Sequence, residues 1–172
     1  MSHVFKSGDY EGKSIAQVAL TDYSGLKGLQ SFLKDKNPFL FSSIEEVVRK
    51  LNNFIPQVNC RYHAGCDKTA EFLSIALTYG DIPRGDFSRH GVTGISVGTE
   101  YAGCNNHIDD ITSGYHKAGS YPIKFDSLLS IPDWPRWVRK DVSKVLLECA
   151  GFKGRKDYDN CERFLSNLEQ RV

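Results

Sequence analysis

CRYHAGCDKTAEFLSIALTY, residues 60–79, and AGCNNH, residues 102–107, decide the reading of this chain. In the first stretch, Cys60 and Cys66 have five residues between them and lead into a run of aromatic and aliphatic residues, Thr69 to Tyr79, that reads as a strand. In the second, Cys104 and His107 have two residues between them, after the shorter strand candidate Gly94 to Gly98. Zinc takes four sulfur or nitrogen ligands at the corners of a tetrahedron, and two turns set side by side at strand ends supply two each. Gly65 and Gly103, each directly before a cysteine, suit backbones that turn tightly. The expected ligands are therefore Cys60, Cys66, Cys104 and His107 around a structural Zn2+, with no coordination position left open. His63-x2-Cys66 is a rival half-site with the more usual spacing. The same residues also permit a hydrolase reading. Cys104 would be a nucleophile beside His107 and Asp109 or Asp110, or His107, Asp109 and Asp110 would hold a catalytic metal. No nucleophile elbow or second acidic cluster accompanies them.

Outward from this centre the hydrophobic period changes to that of helices. Toward the C-terminus, Trp137, Val138, Val142, Val145, Leu146 and Leu147 give a buried face to a helix over Trp134 to Ala150, with Gly151 as its C-cap. Cys161, Phe164, Leu165 and Leu168 do the same for Asp159 to Leu168. Toward the N-terminus, Val4 and Phe5 precede a polar turn from Gly8 to Gly12, which suggests a small hairpin. Ile15, Val18 and Ala19 mark a first helix, and Leu26 to Leu33 a second that Asn37-Pro38 breaks. Ser43 with Glu46 three residues on has the wording of a capping box, placing the start of a third helix there. The fold class expected is α+β. An N-terminal strand-turn-helix module (1–59) leads to a zinc β-ribbon (60–123), and a helical pair (124–172) packs back to make one composite domain.

Composition excludes more than it identifies. The chain has 172 residues, 40% of them hydrophobic and 25% charged, ordinary for a globular protein. No apolar run approaches the ~20 residues that cross a bilayer. The N-terminus has no apolar stretch of signal-peptide length, so an intracellular location is expected. The net charge of +1 rules out a general polycation. Divided at the boundaries above, the segments carry +1, −2 and +2, so no basic or acidic tail emerges. Five cysteines is an odd number, which three ligands and two helix-packing residues, Cys149 and Cys161, account for.

Gly8-Asp-Tyr-Glu-Gly12-Lys13-Ser14 is one residue short of the phosphate-cradling loop of nucleotide hydrolases, and no long buried strand precedes it. Phe5-x2-Gly8-x-Tyr10-x-Gly12-Lys13-Ser14, followed by Val18, Asp22 and Leu26, resembles instead the small module at the C-terminus of exonuclease X-like proteins. The resemblance covers roughly residues 3–54. It departs at Asp9 and Glu11, where basic residues are common, and at Gly25 inside the second helix. It implies an accessory role beside nucleic acid or a nucleic-acid-processing protein, with Tyr10 and Lys13 as contacts; the exonuclease domain itself is absent. A second possible contact is the stripe Arg136, Lys140 and Lys144, four residues apart on one helix, diluted by Asp133, Asp141 and Glu148. Trp134 and Trp137 on that helix suit packing or an interface better than base stacking. The function expected is a zinc-stabilised, non-enzymatic module binding nucleic acid or a partner of nucleic-acid metabolism. A small hydrolase around Cys104, His107, Asp109 and Asp110, or a protein-binding adaptor, are the alternatives.

Overall fold

Ser14 shows how the chain begins to fold. Its side chain accepts from the Gln17 backbone N–H at 3.1 Å, while the Gln17 side chain accepts from the Ser14 N–H at 3.0 Å. That reciprocal pair satisfies two amides that a helix start leaves free, and α1 (Ile15–Thr21) follows. The computed structural model describes residues 3–79, 92–107, 119–130 and 134–169. It is an α+β protein of two units, one formed by residues 1–55 and 152–172, the other by 56–151.

The first unit is helical. Before α1, Phe5 and Lys13 pair through backbone bonds (Phe5 N–H to Lys13 carbonyl, 3.0 Å), and Val4 bridges Ser14. The intervening turn needs Gly8 and Gly12, at φ +82° and +77°. α2 (Tyr23–Leu33) is capped by Asp22, which accepts from the Gly25 N–H at 3.1 Å. The Tyr10 hydroxyl donates to the same carboxylate at 2.9 Å, and its ring lies 5.8 Å from that of Phe5. Gly25 is what permits this, because a Cβ there would overlap both the hydroxyl and the Asp22 carboxyl.

α3 runs from Pro38 to Asn52, with Asn37 as N-cap and Pro38 in its first turn. The helix therefore starts six residues before the position expected from Ser43 and Glu46. Ser43 sits inside it, its hydroxyl donating to the Phe39 carbonyl at 3.0 Å, and Glu46 pairs with Lys50 at 2.8 Å. A serine and a glutamate at capping spacing are equally at home in a helix interior, and Asn37-Pro38 outcompetes them. The last helix, here α6 (Tyr158–Glu169), packs on α1 and α3. Asp157 caps it, accepting from the Asn160 N–H at 2.9 Å, and the Lys156 ammonium donates to the Leu20 carbonyl at 2.7 Å. Ile15, Leu20, Leu26, Ile44 and Leu51 are fully enclosed, each burial worth about 1.5–3 kcal/mol.

The second unit is built on β1 (Phe72–Tyr79), whose Leu73 and Ile75 are buried. β2 (Val92–Ser96) pairs antiparallel with Ala76–Tyr79, and β3 (Ala102–Gly103) with Phe72 and Leu73. β4 (Gly119–Pro122) flanks β1 from Phe72 to Ile75, where the Ser74 and Ser120 hydroxyls lie 3.0 Å apart. Among the described residues two α-helices accompany the sheet, α4 (Phe125–Leu129) and α5 (Arg136–Cys149). Of the two C-terminal helices, α5 belongs to the unit with the sheet and α6 to the unit of the N-terminal helices. The Gln57 N–H donates to the Cys149 carbonyl at 2.6 Å, joining the two ends of the second unit. No helix among the described residues is long and apolar enough to cross a membrane.

Candidate metal centre

Three backbone segments converge at the start of β1. Val58 to Cys60 runs antiparallel to Lys68 to Ala70, with Cys60 N–H to Lys68 carbonyl at 2.8 Å and Ala70 N–H to Val58 carbonyl at 2.9 Å. The loop between them closes through Cys66 N–H to His63 carbonyl at 3.1 Å, with Gly65 at φ +86°. That positive φ at the third position of the turn is the conformation that requires glycine. The third segment is β3: the Arg61 N–H donates to Ala102 at 3.0 Å and the Glu71 N–H to Gly103 at 2.8 Å. Gly103 therefore does not turn; it lies extended in β3 opposite Phe72. The turn comes after it, where the His107 N–H bonds the Cys104 carbonyl at 3.0 Å in a single 3-10 turn, Asn105–His107.

This framework brings Cys60, Cys66, Cys104 and His107 together, with one ligand atom from each lying within 4.8 Å of the others. The His107 Nδ1 is 3.3 Å from the sulfurs of both Cys60 and Cys104, and the Cys66 and Cys104 sulfurs are 3.9 Å apart. A tetrahedral zinc with its usual bond lengths places two sulfurs about 3.8 Å apart, and sulfur and nitrogen about 3.5 Å apart. The cluster thus has the size of a coordination shell. Cys60 and Cys104 are buried, while Cys66 and His107 are half-buried. His63 stands outside the ligand atoms; its ring stacks on that of His107 at 5.1 Å and 18°.

The thiols are unequal. Burial works against the Cys60 thiolate, but backbone N–H groups of Cys104 and Tyr62, then the His107 and Cys104 side chains, outweigh it and bring its pKa down to about 6. At Cys66 the Lys68 N–H favours the thiolate, yet burial, hydrogen bonds with Cys104 and Cys60 and the Cys104 charge together push its pKa up. One thiolate is welcome and the next is resisted, which is the electrostatics of a site that a dication would complete. The N–H groups of Tyr62 and Lys68 each reach the sulfur two residues before them, so the two cysteines of the first pair share the same local geometry.

Elsewhere the expected contacts are placed less uniformly. Tyr10 is tied to Asp22 and Phe5, so its role in the first unit is to hold the turn on α2; Lys13 is exposed. Arg136, Lys140 and Lys144 are all exposed on α5. Lys144, however, lies in a groove of about 340 Å³ beside Asp141, Glu148 and Glu100, whose carboxylate folds over Gly98. That leaves Arg136 and Lys140 as the basic pair, and between them in sequence is Trp137, 40% exposed. Its surface position takes it off the buried face expected for this helix and leaves its indole open to a partner or a base; Trp134, 8% exposed against Tyr121, packs. Asp109 and Asp110, needed for either hydrolase reading, lie outside the described residues. Compared with known proteins, the chain matches no family model, no curated sequence and no solved structure.

Proposed function

We propose that the chain is a zinc-stabilised, non-enzymatic accessory module that contacts single-stranded nucleic acid through the N-terminal half of α5. The observation that carries the metal part is the Cys60, Cys66, Cys104 and His107 cluster at tetrahedral spacing. Three thiol sulfurs and an imidazole nitrogen suit zinc, and four protein ligands leave no position for a water or substrate, so the ion is structural. Cys60, Cys104 and His107 would fasten the Val58–Cys60 arm to β3, and Cys66 would secure the loop. Trp137 flanked by Arg136 and Lys140 supports the contact, since an exposed indole stacks on any base while cations follow the phosphates. The resemblance of residues 3–54 to the exonuclease X-like module points to the same setting.

Elemental analysis of the purified chain tests the first part; one zinc per chain is expected, and a metal-free, stably folded chain refutes it. Titration with labelled single-stranded and duplex oligonucleotides over a salt series tests the second. Binding should weaken with salt and fall at least tenfold in Trp137→Ala, about the worth of one stacked base. No binding at low salt refutes it.

A further inference from the structure

The same cluster has a reactivity that a purely structural clip does not need. We propose that Cys66 and Cys104 form a hydroperoxide-responsive disulfide site whose closure releases the metal, an inference that rests on the zinc reading above. Three observations lead there. The sulfurs of Cys66 and Cys104 are 3.9 Å apart, so bonding asks for a closure of roughly 2 Å to the usual S–S length. Cys66 is the accessible one, half-buried behind a loop whose Arg61, His63, Ala64, Gly65, Asp67 and Lys68 are all exposed, whereas Cys60 and Cys104 are buried. An exposed loop turning at Gly65 has little packing to resist the movement, while Cys104 is anchored directly after β3.

The remaining cysteines sharpen the selectivity. Cys149 and Cys161 are fully buried. Burial first, then the charges of Glu148 and Asp157 respectively, pushes their thiols up to about 12 and about 11, so both stay protonated and unreactive. Oxidation is thereby confined to the cluster.

The chemistry balances with hydrogen peroxide as the oxidant. The Cys66 sulfur attacks one peroxide oxygen, the O–O bond breaks, and the departing hydroxide takes a proton to leave as water, giving a sulfenic acid. The Cys104 thiolate then attacks the Cys66 sulfur, expelling hydroxide, which is protonated to a second water. The two thiolates have lost two electrons in all and the peroxide has gained them. Cys60 and His107 remain, and two ligands do not retain a zinc ion that four held. A dithiol reductant reverses the bond by exchange and restores the four-ligand set.

The test uses the full chain as purified. Zinc content is measured first: a chain without zinc overturns the metal reading itself. The zinc-loaded chain is then treated with hydrogen peroxide while a chromogenic chelator reports free zinc, thiols are counted after denaturation, and the disulfide is mapped by peptide mass spectrometry. The expected result is one zinc released as the thiol count falls from five to three, a Cys66–Cys104 peptide pair, and recovery of both on adding dithiothreitol and zinc. Mapping the wild-type chain avoids dependence on a cysteine variant that fails to fold. Cys161→Ser, outside the cluster, should release zinc identically. Zinc retained under peroxide, release with Cys66 driven to sulfinic acid and no disulfide, or a bond involving Cys60 would each overturn the proposal while leaving the zinc centre standing.

Discussion

Replacing Gly25 with alanine should destabilise α2, although helix propensity says the opposite. In an exposed helix interior alanine is favoured over glycine by about 1 kcal/mol. At Gly25 the new Cβ would overlap the Tyr10 hydroxyl and the Asp22 carboxyl, which are already bonded to each other and to the Gly25 N–H. Displacing them forfeits a hydrogen bond to a carboxylate, about 1.5–3 kcal/mol, and a helix cap, about 1 kcal/mol. The balance is a net loss of about 1.5–3 kcal/mol, or a drop of about 1–2 M in the urea midpoint followed by far-UV circular dichroism. Gly28, one turn along the same helix, has open space around it, so Gly28→Ala should raise stability by about 0.5–1 kcal/mol. Tyr10→Phe removes the obstructing oxygen, and Gly25→Ala should cost at least about 1 kcal/mol less on that background. Gly25→Ala as stable as the parent, or no coupling to Tyr10, would refute the reasoning.

Three further outcomes can be checked by denaturation or chelator competition. Ser14→Ala should cost about 1 kcal/mol by removing an enclosed N-cap, whereas Ser43→Ala, inside α3, should be neutral or slightly stabilising in the same urea series. Gly65→Ala forces a side chain into φ +86°, costing about 1–2 kcal/mol, and should make zinc measurably easier to strip with a chelator. Because the Cys149 thiol is raised to about 12, its contribution is intact below the ordinary cysteine pKa near 9. It declines as pH climbs from there toward 12, by up to about 1.4 kcal/mol per pH unit. Cys149→Ala should flatten that alkaline slope when stability is measured from pH 8 to 11.

The apolar stripes of α1, α3, α5 and α6 were legible because each was long enough for its period to show, and the clustering of Cys60, Cys66, Cys104 and His107 because turn spacing and side-chain chemistry coincide in few sequences. What escaped was competition between signals of equal wording. Ser43–Glu46 and Ser14–Gln17 both fit a capping box, and only the second is one, since Asn37 and Pro38 start α3 earlier. Gly119–Pro122 pairs with β1 but has only four residues and little apolar character, so no alternation announces it. Gly25, which reads as a flaw in α2, is required by a tyrosine fifteen positions away. Trp137 and Val138 look equally apolar in sequence; one is 40% exposed and the other enclosed, a difference set by the rotation of α5 on its unit.

The bond between Gln57 and Cys149 has a consequence for how the chain is made. The first unit needs both residues 1–55 and α6, so its helices wait on synthesis of everything between. The second unit, residues 56–151, is finished earlier and can fold first. Once its ends are joined at Gln57 and Cys149, the stretch separating α3 from α6 shrinks from a long coil to two short tethers. Each halving of an effective loop saves about 0.6 kcal/mol of closure entropy, so three halvings make the return of α6 easier by about 2 kcal/mol. An inserted body closed on itself thus works as an internal splint for the helices that flank it in sequence.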